Sequence, residues 1–170
     1  MGKNIMIKNK NKKMKTLVVY YSRTGTTKKV GEKLAKHLKC HFEEIIDLKR
    51  RSGAIGWMGA GKDAMKKKLT YIKDIKKDPK NYDLIIIGSP VWAGNVAPAI
   101  RTYILTNKPN IKKVAFFCTM GGSTGKIFSE MEEIINIKPL GILSLKTKEV
   151  NNPGHNYNNK INNFIKTIKK

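Results

Sequence analysis

The sequence has few acidic residues, few cysteines and no long apolar run. Among its 170 residues, 12 are Asp or Glu and 35 are Lys or Arg, which gives a formal net charge of +23. No apolar run approaches the roughly 20 residues that a membrane-spanning helix requires, and the N-terminus lacks the apolar core of a signal peptide. We therefore expect a cytoplasmic protein that does not insert into a membrane.

The scarcity of cysteine argues against two further classes of protein. Cys40 and Cys118 fall at the ends of separate predicted elements, and neither shows the spacing of metal ligands. A disulfide is not expected in a reducing compartment. We predict no metal site, and we expect Cys118, which ends an apolar run, to be a buried small side chain.

The excess of positive charge has two interpretations. One is a surface for nucleic acid or for an anionic membrane. The other is lysine used as general surface polarity in a chain that is rich in Lys, Asn and Ile. The basic residues are spread along the chain, and no basic stripe alternates with stacking aromatics, as single-strand binders require. We therefore expect no specific nucleic-acid role, and we expect the charge to act through electrostatic steering of partners.

Residues 1–14 contain five lysines and no acidic residue, and they show no periodic apolar pattern. We predict that they form a flexible basic arm. Residues 15–170 show no internal repeat and no low-complexity linker. They are predicted to form a single domain that is large enough to bury a full core.

Apolar runs typical of buried strands alternate with helical patterns along this domain. Strands are predicted over residues 15–21, 41–46, 83–88, 113–118 and 142–145, and helices over residues 27–38, 96–105, 126–135 and 160–168. This alternation indicates an α/β fold, a doubly wound sandwich in which a five-stranded parallel sheet carries helices on both faces.

A glycine-rich segment over residues 47–61 interrupts this alternation. It is predicted to be irregular, with Trp57 inside it and a short helix starting at Lys62. We interpret the loop around Trp57 as a flexible flap near a ligand or a partner, without a chemistry that assigns its role.

The first predicted strand is followed by a turn rich in hydroxyl groups. Ser22, Thr24, Thr26 and Thr27 lie between the apolar run that ends at Tyr20 and the start of a helical pattern. Such a turn presents unpaired backbone N–H groups and O–H donors at a helix N-terminus, where the helix dipole also favours negative charge. The turn therefore predicts a phosphate-binding site.

Two further loops are expected at the same edge of the sheet. In a doubly wound fold ligands bind at the carboxyl ends of the strands, where the strand order reverses. The loops over residues 22–27, 89–95 and 119–125 follow the first, third and fourth predicted strands, and all are rich in Gly, Ser, Thr or Pro. Three such loops at one edge make a better site than any one alone.

Taken in order, these motifs resemble those of the flavodoxins, small FMN-binding electron carriers. The turn Ser22-x-Thr24-Gly25-x-Thr27 resembles the family's loop for the FMN phosphate. Residues 83–94 are similar to the strand and loop that hold the flavin ring, and residues 119–123 to the loop on the ring's other side. The resemblance spans residues 15–168 and implies the strand order 2-1-3-4-5. The last strand, over residues 141–146, has no long insertion, which resembles the short-chain branch.

The resemblance implies FMN as the cofactor and assigns its contacts to the three loops. The implied cofactor-binding residues are Ser22, Arg23, Thr24, Gly25, Thr26, Thr27, Pro90, Val91, Trp92, Ala93, Gly94, Asn95, Thr119, Met120, Gly121, Gly122, Ser123 and Gly125.

Individual roles follow from the same resemblance. Trp92 would pack against the flavin ring and exclude water. The peptide at Ala93-Gly94 would turn toward flavin N5, as small residues permit. Arg23 either pairs with the phosphate or is a solvated loop charge. Asn95 is either a ligand contact or, as its position before a helical pattern favours, a helix N-cap.

The function implied is that of a carrier that shuttles single electrons between redox proteins. The alternative is an FMN-dependent NAD(P)H reductase that acts on a quinone or a similar small acceptor. No catalytic triad, pair of acid–base carboxylates or zinc-binding constellation is apparent in the sequence. Flavodoxins are usually acidic, whereas this chain is basic, so we expect acidic redox partners and a second reduction step less negative than is usual for the family. We also expect a monomer or weak dimer.

Overall fold

The structure, a computed structural model, describes residues 14–51 and 53–169. The arm predicted over residues 1–14 thus lies outside the described residues, apart from Met14. Six strands form one sheet: β1 (Thr16–Tyr20), β2 (His41–Glu44), β3 (Leu84–Trp92), β4 (Asn95–Val96), β5 (Val114–Met120) and β6 (Ile142–Lys146).

The sheet has the predicted order and direction. Its five long strands run in the order β2-β1-β3-β5-β6, and every neighbouring pair among them is parallel. This is the order 2-1-3-4-5 when only the long strands are counted, so the predicted fold class is confirmed. The two-residue strand β4 was not predicted, and it pairs antiparallel with the end of β3.

Helices cover both faces of the sheet because successive side chains of a strand point to opposite faces. The helices are α1 (Thr26–Leu38), α2 (Gly53–Met65), α3 (Pro98–Asn107), α4 (Ile127–Ile135), α5 (Thr147–Asn151) and α6 (His155–Ile168). Leu17 and Val19 of β1 pack in one cluster with residues of α3 and α4, whereas Val18 and Tyr20 pack in the other with residues of α1 and α6. In these described regions no helix is both long and apolar enough to cross a bilayer.

Helix α1 follows from its apolar spacing and lies very close to β1. Val30, Leu34 and Leu38 recur every four residues, and all three are buried. A Cβ added at Gly31 would lie 2.3 Å from Cδ1 of Tyr20, so only glycine permits this approach of helix to strand. The packing fixes the N-terminus of α1 at the carboxyl end of β1.

The prediction of an irregular segment over residues 47–61 was wrong, because α2 runs from Gly53 to Met65. Each glycine in a helix interior costs about 1 kcal/mol relative to alanine, and these glycines indicated a loop. Tertiary contacts outweigh that penalty. Ala60, Asp63 and Ala64 form the buried face of α2, and Asp63 is fixed by an ion pair with Arg51.

Candidate functional site

The three predicted loops lie together at the carboxyl edge of the sheet. β3 lies between β1 and β5, and the two hydroxyl oxygens of Thr27 and Thr119 are 2.7 Å apart, which joins the first loop to the third. The backbone N–H of Lys126 donates to the carbonyl of Gly94 at 2.7 Å, which joins the third loop to the second. The three loops therefore form one continuous rim, at which a ligand could contact all of them.

The first loop presents donors without acceptors. Gly25, in the left-handed conformation with φ of 88°, is the N-cap of α1, and within the described chain no side chain caps this helix. The hydroxyl oxygen of Ser22 is buried and has no hydrogen-bond partner among those residues. The first turn carries no acidic residue. An anion placed here would satisfy both the Ser22 hydroxyl and the free amides of α1.

The second loop is the tip of a tight hairpin formed by β3 and β4. Ala93 and Gly94 both have positive φ, 48° and 76°, as a two-residue turn of this kind requires. The predicted N-cap role of Asn95 was wrong, because α3 starts at Pro98 and Asn95 pairs in β4. The Asn95 side-chain amide instead donates to the carbonyl of Ala93 at 2.6 Å. Val91 pairs with the last residue of β4, and Pro90, also in β3, pairs with Thr119.

Trp92 is the aromatic centre of the rim. Its ring lies edge-on to that of Tyr21, with centroids 5.5 Å apart. Two guanidinium groups lie near the same ring, with Cζ of Arg23 at 5.5 Å and Cζ of Arg51 at 5.6 Å from its centroid. Such distances fall within the range of cation–π attraction.

The third loop contributes to the rim mainly through its backbone. Thr119 and Met120 are buried at the end of β5, whereas four residues after them are exposed: Gly121, Gly122, Ser123 and Gly125. A Cβ on Gly125 would lie 2.4 Å from Cα of Gly94, so the second and third loops touch backbone to backbone. None of the third-loop residues lines either of the two clefts described next.

Two clefts open on either side of Arg23. The larger has a volume of about 740 Å³ and is lined by residues 21–24 of the first loop, by residues after β2 and by the start of α2 including Trp57. The smaller, of about 270 Å³, is lined by Arg23, Trp57, Met58, Ala60, Gly61, Val91, Trp92 and Ala93. The segment around Trp57 was predicted as a flap near a ligand, and its helix forms a wall of both clefts.

A buried ion-pair cluster lies in the wall of the larger cleft. Nε of Arg51 donates to Asp47 at 2.5 Å, and Nη1 donates to Asp63 at 2.9 Å. Burial lowers the pKa of Arg51, but the hydrogen bonds to both carboxylates outweigh burial and raise it. Hydrogen bonds from Lys49 and Arg51 lower the pKa of Asp63 to about 2, although burial opposes them.

Sequence reasoning missed this cluster. One feature pointed to it, since four of the 35 basic residues are arginines. In a chain that uses lysine almost everywhere else, an arginine suggests a site that needs the planar, forked guanidinium. The partners of Arg51 could not be identified because Arg51 and Asp47 lie in the segment predicted to be irregular, and Asp63 lies in the separate short helix predicted to start at Lys62.

Comparison with known proteins identifies relatives with this architecture. The flavodoxin family model matches residues 15–166. A flavoprotein from Lactobacillus acidophilus, solved in complex with FMN, is 31% identical, with a TM-score of 0.68 over 82% of this chain and 97% of that one. Flavodoxin 2 from Bacillus cereus is 17% identical, with a TM-score of 0.57 over 91% of this chain and 97% of that one. The rubredoxin oxygen:oxidoreductase of Desulfovibrio gigas is 18% identical, with a TM-score of 0.56 over 91% of this chain and 35% of that one. No functionally curated protein matches the chain.

Proposed function

The chain belongs to the flavodoxin family, and we propose that it binds FMN and carries single electrons between redox proteins. The relative from L. acidophilus was solved with FMN, and its matching region includes most of this chain. Bound FMN supplies the redox chemistry: it accepts an electron from a reduced donor protein and passes it to an oxidised acceptor protein.

The observation that carries the proposal is the partnerless hydroxyl of Ser22 beside the uncapped N-terminus of α1. Buried polar groups in native proteins almost always have a partner, and the Ser22 hydroxyl combines the lack of one with a position beside free helix amides, which an anion would also satisfy. The FMN phosphate would provide several acceptor oxygens and negative charge at the positive end of the helix dipole. The residues present therefore fit the cofactor.

The other residues of the rim have consistent roles under this proposal. Thr24 and Thr26 add hydroxyl donors to the phosphate site, and Thr27 stays tied to Thr119 beneath it. Trp92, supported edge-on by Tyr21, packs against the flavin ring and excludes water from it. The hairpin and the third loop supply backbone groups along the ring's edge.

The positive charge of the chain suits acidic redox partners. Complementary charge steers diffusional encounter and raises the association rate, an effect that salt screens. Electron transfer to an acidic partner should therefore slow as ionic strength rises.

Trp57 and Met58 are both more than 60% exposed beside the clefts, so an apolar contact is available close to the proposed flavin site.

The smaller cleft supports the alternative function of an NAD(P)H-dependent reductase. It adjoins Trp92 and has room beside the ring site for part of a small acceptor such as a quinone. In that case bound FMN would supply two-electron chemistry between a reduced nicotinamide and the acceptor, and reduction of a quinone to a hydroquinone would take one further proton from solvent. Rapid quinone-dependent oxidation of NADPH by the purified protein would favour this function over the carrier.

An absorption spectrum of the purified protein, with mass identification of the released cofactor, tests the proposal most directly. We expect a yellow protein that releases FMN. Dithionite should bleach its colour, and NADPH alone should not. A colourless protein that FMN does not reconstitute would overturn both the carrier and the reductase.

Replacement of Ser22 tests the phosphate site itself. Ser22→Ala should weaken FMN binding about tenfold, because a hydrogen bond to a charged group contributes about 1.5–3 kcal/mol. It should leave the cofactor-free protein at least as stable, since the buried hydroxyl has no partner to lose. Flavin fluorescence quenching measures the affinity, and thermal unfolding measures the stability.

Ser129→Ala is the matched control. Its hydroxyl lies on α4 and already donates to the carbonyl of Lys126 at 2.9 Å. We expect FMN affinity to stay unchanged in this variant. Equal affinities for the Ser22 and Ser129 variants would remove the observation on which the phosphate site depends.

A further inference from the structure

Arg51 has one nitrogen without an acceptor. The residue is 5% exposed, and it lines the larger cleft between the first loop and α2. Its Nε and Nη1 each bond to a carboxylate, whereas its buried Nη2 has no partner in the parts of the chain that the structure describes. A buried donor on a charged group is costly to leave unpaired, so a bound molecule is the natural source of its acceptor.

The guanidinium is held in place from two elements. Asp47 follows β2, and its carboxylate also accepts from the Thr70 hydroxyl at 2.7 Å and from the Lys49 backbone N–H at 2.9 Å. Asp63 lies on the buried face of α2. Because one carboxylate accepts from Nε and the other from Nη1, Nη2 is the nitrogen of Arg51 that has no acceptor among the described residues.

The cluster also keeps a surplus of positive charge. Asp47 and Asp63 contribute two negative charges, and Arg51 contributes one positive charge. Lys49 lies 2.6 Å from Asp63 and Lys68 lies 3.6 Å from it, so three cations face two carboxylates and one positive charge remains. Arginine does not lose its proton in proteins, so this charge persists at any physiological pH.

Resting on the proposed function, we propose that Arg51 binds the polar edge of the FMN ring through Nη2 and stabilises the reduced flavin. Cζ of Arg51 lies 5.6 Å from the centroid of the Trp92 ring, so a flavin ring packed against Trp92 would lie close to Arg51, and the Ser22 hydroxyl and the uncapped amides of α1 already provide for the phosphate. Two-electron reduction at neutral pH adds two electrons and one proton to the flavin. The reduced ring therefore carries one more negative charge than the oxidised ring, and a nearby cation favours it.

The test is the affinity of Arg51 variants for FMN in both redox states, with dithionite as the reductant. For Arg51→Gln we expect the dissociation constant to rise about tenfold for oxidised FMN and about a hundredfold for reduced FMN. That further tenfold difference lowers the two-electron midpoint potential by about 30 mV. Arg51→Lys keeps the charge, so it should weaken both states and leave their ratio within about threefold of wild type.

Riboflavin distinguishes the ring from the phosphate as the group that Arg51 binds. Riboflavin has the same ring and lacks the phosphate, so the weakening by Arg51→Gln should persist with it. An effect confined to FMN would assign Arg51 to the phosphate and overturn the proposal.

Arg101→Gln provides the matched control for loss of a buried arginine. Arg101 is 4% exposed and ion-paired with Glu130, and it lines neither cleft. We expect this variant to lose stability without changing the ratio of the two FMN affinities. The same change of ratio in both variants would overturn the proposal.

Spectroscopy on the unaltered protein tests the contact even if the Arg51 variants do not fold. The chain has four arginines, so ¹⁵N-labelled arginine gives a simple side-chain NMR spectrum. Addition of FMN should shift the Arg51 guanidinium signals and leave those of Arg101 in place. Bound FMN with unmoved Arg51 signals overturns this inference alone, whereas wild-type protein that leaves FMN free in solution overturns the proposed function as well.

Discussion

Two of the four arginines, Arg51 and Arg101, are buried near the β3–β4 hairpin, and they differ in how their charge is balanced. Arg101 forms a one-to-one pair with Glu130, whose other oxygen accepts from the backbone N–H of Val96 at 2.8 Å. Arg51 belongs to a cluster in which cations outnumber carboxylates, and it lines a cleft.

The difference separates a structural ion pair from one that can act on a ligand. Each arginine leaves one nitrogen without a partner, Nε in Arg101 and Nη2 in Arg51. An orphaned donor alone therefore does not mark a site. Of these two arginines, Arg51 is the one that lines a cleft and belongs to a cluster with surplus positive charge, and these two features distinguish a ligand site from a structural ion pair.

The largest expected effect comes from breaking the balanced pair. Glu130→Ala leaves Arg101 buried without its carboxylate, and it also removes the acceptor of the Val96 N–H. Loss of one partner of a buried pair costs about 3–5 kcal/mol in the free energy of unfolding. Urea unfolding of the cofactor-free protein, followed by circular dichroism, measures the loss.

Glu130→Gln is the control for that change. The amide retains an acceptor oxygen for either Val96 or Arg101 but loses the charge, so we expect a smaller loss than for alanine. A loss below about 1 kcal/mol in the alanine variant, less than the range expected for a buried pair, would show that the pair does not hold the hairpin.

A smaller effect, dependent on pH, is expected at the cluster around Arg51. Hydrogen bonds from Lys49 and Arg51 lower the pKa of Asp63 from its ordinary 3.8 to about 2. A folded-state pKa below the unfolded value stabilises the protein fully above about pH 4, and this contribution disappears as the pH falls through about 2. A shift of this size corresponds to about 2 kcal/mol.

Asp63→Asn should remove that contribution. The variant should be about 2 kcal/mol less stable than wild type at pH 7, with a difference that narrows between pH 4 and pH 2. Denaturant unfolding of both proteins at several pH values isolates the contribution of this carboxyl from those of the others. If the difference in free energy of unfolding between the two proteins stays constant down to pH 2, the Asp63 carboxylate is not stabilised by its ion pairs in the cluster.

The fold and the position of the first loop could be predicted because both depend on local patterns. Apolar runs and four-residue spacing located the five long strands and α1, and the first loop follows directly from them. The helices were predicted less completely than the strands. The last helix was predicted from Lys160 but starts at His155, where an Asn-rich sequence obscures the pattern.

The walls of the clefts could not be predicted because they depend on contacts between distant residues. Helix α2 forms over a glycine-rich stretch because Asp63 reaches Arg51, twelve residues earlier in the chain. Val96, predicted as the first residue of a helix, belongs instead to β4, and its backbone N–H donates to Glu130, 34 residues later in the chain. Neither contact leaves a periodic pattern in the sequence.

The smallest expected effect lies at the tip of the β3–β4 hairpin. Ala93 has φ of 48°, a left-handed conformation that costs a residue with a Cβ about 1–2 kcal/mol, and glycine adopts it freely. Ala93→Gly should therefore stabilise the protein by about 0.5–1 kcal/mol, after the greater chain entropy of glycine in the unfolded state is subtracted. The same substitution in the first turn of α2, Ala54→Gly, should destabilise the protein, by less than the roughly 1 kcal/mol that glycine costs in a helix interior. Thermal unfolding compares the two, and a destabilised Ala93 variant would show that other contacts hold the tip against its strain.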